Sequence, residues 1–178
     1  MRDLTQMTLV QSIKELKLIK RKIRGNAELI EKYSSQPENE KPLIDTTAAQ
    51  VAEIKSLIQS SESLVKEYSS ISSALAYTNL ITRININSKD YSIHELICLK
   101  RELHDLMILN YRSMNDNNFN KNTRMNMNTS PGVKNNVERY YDEKYKQMKI
   151  REAEDLFHEI DCRLENVNAT TYLSYLPV

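Results

Sequence analysis

Apolar residues recur every three or four positions along two long stretches of the chain, which is the period of one face of an α-helix. The first stretch predicts a helix of about seven turns, or roughly 40 Å of rod. Its apolar stripe consists of Leu9, Ile13, Leu16, Ile19, Ile23, Ala27 and Ile30. The second stripe consists of Val51, Ile54, Leu57, Ile58, Leu64, Val65, Tyr68, Ile71 and Leu75. Two such helices are expected to pair as an antiparallel hairpin.

The loop between the two stripes runs over residues 36–45. Pro37 ends the first helix because the residue before a proline avoids the α region. Asp45, Thr46 and Thr47 supply side chains of the type that cap the start of a helix. The chain holds only two glycines and four prolines, whereas a β-sandwich or barrel needs a turn about every ten residues. The sequence therefore predicts a mainly α fold of long antiparallel helical hairpins, with about four helices.

Strict alternation of polar and apolar residues from Thr82 to Ile86 interrupts the helical pattern. Alternation is the period of a strand, and residues 87–90 that follow read as a turn. The pattern predicts a small β-hairpin or an extended elbow after the second helix. Ser92 and Glu95 then form a capping-box pattern. A third helix is therefore expected to start there and to end near Tyr111.

An asparagine-rich segment at about 115–136 separates the third helix from the fourth. Its few apolar residues cannot offset the entropy of ordering it, so we predict a flexible loop. The last helix is expected to begin near Asn136. We interpret residues 1–178 as a single elongated helical domain. Because one hairpin of such long rods leaves apolar faces uncovered, we also expect a homo-oligomeric helical assembly.

Formal charge is nearly balanced, since 25 basic and 24 acidic residues give a net charge of +1. No global field therefore attracts nucleic acid or an anionic membrane. One basic cluster runs from Lys17 to Arg24, but isoleucines interrupt it at core spacing and the acidic last helix can pair with it, so nucleic acid is not the expected partner. No run of about 18 apolar residues is present. We expect a cytoplasmic protein with no membrane partner.

The residues that most often carry catalysis or bind metal form no recognisable constellation. His94, His104 and His158 are isolated, and no Ser-His-Asp order, nucleophile elbow or paired-carboxylate motif is present. We interpret Cys98 and Cys162 as ordinary thiols that lack a second cysteine or a histidine at metal-ligand spacing. The sequence favours a protein that is not an enzyme and needs neither a metal nor another cofactor.

The segment from residue 77 to residue 87 interleaves polar and aliphatic residues at the point where the second helix breaks. Amides, hydroxyls and a guanidinium beside an aromatic ring suit a sugar, base or phosphate ligand. The candidate ligand-binding residues here are Tyr77, Asn79, Thr82, Arg83, Asn85 and Asn87. The same groups could instead cap the broken helix and fix the elbow. The sequence favours these two interpretations about equally.

Two stretches of the chain resemble the septicolysin-like family of small helical bacterial and phage proteins. The first comprises Asn79, Thr82, the helix start Ser92-Ile93-His94-Glu95 and the pair Arg101-Glu102. The second comprises Asp161 and the tail Asn168-Ala169-Thr170-Thr171-Tyr172-Leu173. The resemblance follows the order of the helices over most of the chain, although Ala169 stands where the family has tryptophan and the asparagine-rich loop replaces a polar stretch. It implies a homo-oligomer, a ring of helical hairpins, with no assigned enzymatic activity.

Two functions follow as hypotheses. In the first, the elbow and the tail form repeated pockets of an oligomeric phage protein, a sponge that sequesters a nucleotide-derived immune signal. Arg83 and Arg101 would bind phosphate, because arginine donates charge-assisted, bidentate hydrogen bonds. Asn79, Asn85, Asn168 and Thr171 would contact the sugar or base, and Tyr77 would offer a stacking face. Thr170 in the tail is a further candidate ligand-binding residue. In the second hypothesis, the chain is a scaffold or assembly protein whose helices only join subunits in a larger particle.

Overall fold

The computed structural model describes residues 4–37, 40–115 and 138–174. These residues form two compact units. Unit 1 combines the chain up to Thr82 with the chain from Glu165 onward, and unit 2 runs from Arg83 to Leu164. The mainly helical fold with a small two-stranded sheet that the sequence predicted is confirmed. The predicted loop at about 115–136 lies outside the described residues beyond its first position.

Helix α1 in unit 1 spans Leu9–Tyr33, after a 3-10 turn at Leu4–Gln6. It begins where a capping box forms: the Thr8 hydroxyl accepts from the Gln11 amide, and the Thr8 amide donates to Gln11 Oε1. Both bonds satisfy amides that the first turn of a helix leaves unpaired. The helix ends one residue before Ser34, close to the end predicted from Pro37.

Helix α2 spans Thr47–Ile81 and pairs with α1 as the predicted antiparallel hairpin. The two helices are joined by neutral polar bonds as well as by apolar packing. Asn26 donates to the Ser61 hydroxyl at 3.0 Å, and Gln50 donates to the Tyr33 carbonyl at 2.8 Å. The buried apolar side chains of these two helices are Leu9, Ile19, Leu57, Ile71 and Ala74.

A β-hairpin opens unit 2, with β1 at Arg83–Ile86 and β2 at Lys89–Ser92 paired antiparallel. The side chains of Ile84 and Ile86 are buried, which confirms the alternation read from the sequence. The turn has only two residues, Asn87 and Ser88, with φ of 51° and 63°. Positive φ at both positions is the geometry of a type I′ turn, whose twist matches that of the strands. The predicted turn was thus two residues too long, since residues 89 and 90 belong to β2.

The third helix begins at the predicted capping box and has three parts. Helix α3 spans Ile93–Glu102, a π-helical segment spans Leu103–Ile108, and helix α4 spans Leu109–Ser113. The Ser92 hydroxyl accepts from the Glu95 amide at 3.1 Å, and the Ser92 amide donates to the Glu95 carboxylate at 2.6 Å. The π segment was not predicted, because a wide turn leaves no mark in an apolar pattern read at helical period.

Helix α5 spans Glu143–Thr170, and its residues from Glu165 onward belong to unit 1. The prediction that it begins near Asn136 was wrong, because residues 138–142 are not helical. The Asp142 carboxylate accepts from the Lys144 amide at 2.9 Å. An aspartate in this position fixes the start of a helix. Within the described ranges, every helix is too polar or too short to pass through a lipid bilayer.

Candidate functional site

The end of helix α2 carries the first group of predicted site residues, all of them in unit 1. Tyr77, Asn79 and Thr82 are half-buried there. The helix stops because Thr82 turns to an extended conformation, while its amide still donates to the Thr78 carbonyl at 3.0 Å. Asn79 Oδ1 is buried and accepts no hydrogen bond from the described residues. Most buried polar atoms in proteins are hydrogen-bonded, so this oxygen is an exception that needs a donor.

The tail after helix α5 is hydrogen-bonded to the start of helix α1 and to the end of helix α2, all within unit 1. The Leu9 amide donates to the Thr171 carbonyl at 3.0 Å, and the Leu173 amide donates to the Met7 carbonyl at 2.9 Å. The Ser174 amide donates to the Thr78 hydroxyl at 2.8 Å. We call these three hydrogen bonds the tail latch. They bring the predicted tail residues and the end of α2 into one part of unit 1.

The tail residues proposed as ligand contacts take part in local structure. The Thr170 hydroxyl donates to the Asn166 carbonyl at 2.9 Å. The Thr171 carbonyl belongs to the tail latch, and its amide donates to the Val167 carbonyl at 2.9 Å. Asn168 is half-buried. Hydroxyl groups that bond back to a helix carbonyl can exchange that bond for a ligand at modest cost, so these contacts stay a prediction.

The β-hairpin carries the second group of predicted site residues, which lie in unit 2. Asn85 donates to the Asp90 carboxylate at 2.7 Å across the strand pair. Asn87 supplies the first positive φ of the turn. Arg83 forms an ion pair with Glu95 at 3.3 Å, and 59% of its side chain stays exposed. The side chains of Asn85 and Arg83 are therefore partnered within the hairpin and at the start of α3.

Arg101 on helix α3 is the last predicted site residue in unit 2. Its guanidinium lies 3.6 Å from the Glu102 carboxylate, and 69% of the side chain is exposed. The two arginines of the phosphate hypothesis thus have different acidic neighbours. Both remain able to bind an anion, because an exposed ion pair contributes about 0 to 1 kcal/mol and is readily exchanged.

Glu95, at the start of α3, has a pKa below its ordinary value. Hydrogen bonds from the backbone and then the hydroxyl of Ser92 lower the pKa of this carboxyl, and the charges of Arg83 and Lys89 lower it further. Each contact favours the ionised form. Glu95 is therefore held as a carboxylate that anchors the start of α3 and orients Arg83.

Sequence reasoning missed a set of contacts between helices α3 and α5 in unit 2. Lys100 forms an ion pair with Asp161, and its ammonium group lies 4.9 Å from the centre of the Phe157 ring. On the π segment, His104 lies 6.0 Å from the same ring and 2.9 Å from the Asp105 carboxylate. Segments of π-helix occur often at functional sites. The spacing of residues along one helix gives no signal for such a contact, which joins residues 61 positions apart.

The interpretation that each cysteine lacks a histidine at ligand spacing was wrong. Cys98 follows His94 by one helical turn, and Cys162 follows His158 by one turn. The sulfur and the nearer ring nitrogen are 3.9 Å apart in the first pair and 3.7 Å apart in the second. The spacing of four was visible in the sequence and places both side chains on one face of a helix. Among the described residues, no three metal-ligating side chains cluster.

Comparison with known proteins supports the fold and leaves the function open. No family model matches the chain, and no curated protein is similar to it. Among solved structures, the chain is similar to a functionally unknown conserved protein from Corynebacterium diphtheriae, with a TM-score of 0.61 and 14% sequence identity. The similarity covers 94% of this chain and 99% of the other. At this identity the likeness shows a shared fold and nothing of shared chemistry.

Proposed function

We propose that the chain is a non-enzymatic protein that works as a homo-oligomer, in which the long helices join copies of the chain. One observation carries the proposal. Val51, Ile58 and Val65 on helix α2 keep 46%, 44% and 54% of their surface exposed, although α1 already covers the neighbouring side of α2. We call these three residues the α2 stripe. Their spacing of seven is the repeat with which helices pair along their length.

The occupant that fits the α2 stripe is a second copy of the chain. Ile58 and Val65 of the stripe and Ile30 line an open groove between α1 and α2, together with Glu62 and Lys66. These two side chains carry opposite charges and lie one helical turn apart. When a second copy packs antiparallel on this surface, Glu62 of each copy faces Lys66 of the other. Such reciprocal pairing is what a two-fold interface requires. Aliphatic contact then supplies affinity, and the charges supply orientation.

The test is the molar mass of the full chain at micromolar concentration, measured by light scattering on a sizing column. Val65→Glu should lower the mass and weaken association at least about tenfold, since a buried charge opposes an apolar contact. The circular dichroism spectrum should not change, because the side chain is exposed in the single chain. Leu109→Glu is the matched control, since Leu109 is 61% exposed on α4 outside the stripe. A monodisperse wild-type monomer would contradict the proposal.

Assembly on its own describes the scaffold function, in which the helices connect subunits of a larger particle. The polar groups of the elbow and tail then serve the fold, as the tail latch and the Asn85 to Asp90 bond do. A scaffold should polymerise or copurify with a protein partner. It should show no thermal shift with nucleotides, because a ligand stabilises a protein only when it binds the folded state.

A second candidate function, capture of a small nucleotide-derived ligand, is favoured by Asn79. Its buried Oδ1 accepts no hydrogen bond from the described residues, and an amino or hydroxyl group of a ligand is a suitable donor. In unit 2, Arg83 offers an exposed guanidinium that can move from Glu95 to a phosphate. A phage protein with such sites in every copy would act as a sponge for an immune signal. The resemblance to the septicolysin-like family agrees with the oligomer in either function.

Ligand capture is tested by native mass spectrometry of the full chain isolated from cells that produce nucleotide-derived signals. A bound small molecule at a fixed ratio to the chain supports capture. Arg83→Ala and Arg101→Ala should each abolish capture while circular dichroism and oligomer size stay unchanged, and Asn79→Ala tests the buried amide of unit 1 by itself. Arg163→Ala is the control, because Arg163 is an exposed arginine that pairs with Glu159 on helix α5. If Arg83→Ala and Arg101→Ala both dissociate or unfold the oligomer, these arginines are structural and the scaffold function gains support.

A further inference from the structure

Helices α3 and α5 each carry a histidine followed by a cysteine one turn later, in the same order His-Glu-x-x-Cys. The pairs are His94 with Cys98 and His158 with Cys162. Imidazole and thiolate are the two ligands that zinc prefers in proteins. Both pairs lie in unit 2, and neither contributes to the elbow or to the α2 stripe. The chemistry of these pairs is therefore separate from the proposed function.

The geometry of the His158 and Cys162 pair suits chelation of one metal ion. Zinc binds a histidine nitrogen at about 2.0 Å and a cysteine sulfur at about 2.3 Å, so a tetrahedral angle places the two ligand atoms about 3.5 Å apart. The sulfur of Cys162 and Nε2 of His158 are 3.7 Å apart. A small change in side-chain rotation brings both atoms to zinc. The His94 pair is wider at 3.9 Å, and Cys98 is half-buried.

The surface around the pair on α5 favours a cation. Both His158 and Cys162 are exposed, and Asp155 and Glu165 are exposed on nearby turns of the same helix. The neighbouring base, Arg163, lies 3.8 Å from Glu159 and is thereby partly neutralised. Acidic side chains raise the local concentration of a divalent cation. They also repel the same surface of another copy unless a cation lies between the two.

We propose that the His158 and Cys162 pair binds Zn²⁺, and that the identical pair of a second copy completes a tetrahedral site. One chain supplies two ligands, and no third ligating side chain joins them among the described residues. Structural zinc sites have four protein ligands, and a two-fold axis through the ion doubles each pair. When zinc binds, each Cys162 loses its thiol proton to solvent, and a zinc–sulfur bond forms.

The experiment uses the reduced full chain, freed of metal with a chelator and then titrated with Zn²⁺ or Co²⁺. We expect one ion for every two copies and a rise in molar mass on addition of zinc. Cobalt should give the charge-transfer absorption of a thiolate ligand and the visible bands of a tetrahedral site. Association driven by zinc should persist in the Val65→Glu variant, because the α2 stripe lies in unit 1. Failure of the proposed function and failure of the zinc site are thereby distinguished.

Variants assign the ligands. Cys162→Ser and His158→Asn should each lower the affinity for zinc at least about a hundredfold. Loss of a residue that only hydrogen-bonds to a metal ligand already lowers metal affinity about ten- to a hundredfold, and these two residues are the ligands themselves. Cys98→Ser and His94→Asn are matched controls on α3 and should bind as the wild type does. The proposal is overturned if the wild type takes up no zinc, if it binds zinc without a rise in mass, or if the α3 variants lose binding while the α5 variants keep it.

Discussion

The two units of the chain hold their helices together by different chemistry. In unit 1, hydrogen bonds between neutral groups join α1, α2 and the tail: Asn26 bonds to Ser61, Gln50 to the Tyr33 carbonyl, and Thr78 to the tail. In unit 2, charged groups do so: Lys100 pairs with Asp161, and Arg112 pairs with Glu154 at 2.9 Å. The difference matters because salt screens exposed ion pairs and leaves neutral hydrogen bonds almost unchanged. The stability of unit 1 should therefore depend less on ionic strength than the stability of unit 2.

Leu173→Ala should have the largest effect, since it removes a side chain that is 3% exposed beside the tail latch of unit 1. Truncation of a buried leucine lowers the free energy of unfolding by about 2 to 5 kcal/mol. Urea unfolding followed by circular dichroism measures the loss. Tyr172→Ala is the control, because the side chain of Tyr172, next to Leu173 in the sequence, is 56% exposed. Its removal should change the free energy of unfolding by no more than about 0.5 kcal/mol. Equal effects of both variants would show that the tail is not part of the core of unit 1.

Ser88→Gly should stabilise the β-hairpin that opens unit 2. Ser88 has a φ of 63°, a region that glycine enters without the steric cost that other residues meet. Relief of a left-handed conformation that costs a non-glycine residue about 1 to 2 kcal/mol should outweigh the loss of about 0.4 to 1 kcal/mol from the greater freedom of glycine in the unfolded chain. We therefore expect a higher melting temperature. Ser63→Gly inside helix α2 is the matched control and should destabilise the chain. A loss in both variants would mean that the turn does not hold its type I′ geometry in solution.

Asp161→Asn tests the charged interface of unit 2 directly. The side chains of Lys100 and Asp161 are 32% and 36% exposed, so solvent screens the pair and its loss should cost no more than about 1 kcal/mol. The difference from the wild type should shrink as salt rises from 0.05 M to about 1 M, as screening predicts. Thr78→Val in unit 1 breaks a neutral bond, and its effect should stay constant over the same range. If neither variant's loss in the free energy of unfolding depends on salt, the two units do not differ in the chemistry that joins their helices.

The smallest expected effect is a pH dependence that arises in unit 2. The pKa of Glu95 lies below its ordinary value of 4.5 in the folded chain, chiefly because of hydrogen bonds from Ser92. The unfolded chain therefore binds this proton more readily than the folded chain does. The stabilisation is fully present above pH 4.5 and is lost as pH falls through the lower folded-state pKa.

Glu95→Gln should remove this dependence and leave a flatter curve of stability against pH in that window. Thermal unfolding measured across the acidic range compares the two proteins. Glu53→Gln on helix α2 provides the control, since Glu53 is exposed, lies outside the proposed interface and takes no part in the cap of α2. A slope that is equally steep in the wild type and in Glu95→Gln would show that other carboxyls set the acid response.

The residues of the candidate site were predictable by type, and their grouping was not. The break in α2 at Thr82 and the strand that begins at Arg83 follow from the change of period in the sequence. That Asn85 bonds to Asp90 depends on the register of the hairpin, which a two-residue turn sets. That the tail meets Thr78 depends on a contact across 96 positions. No local pattern encodes a contact at that distance.

The sequence by itself determined the elements whose causes are local. The apolar period, the cap residues at Thr8 and Ser92 and the alternation of β1 act within a few positions, so α1, α2, the β-hairpin and the start of α3 could be derived from them. Only the tertiary structure decided the π segment, the Lys100 to Asp161 pair and the tail latch. These depend on which helix faces which, and the free energy of packing distant side chains, more than any local preference, selects that arrangement.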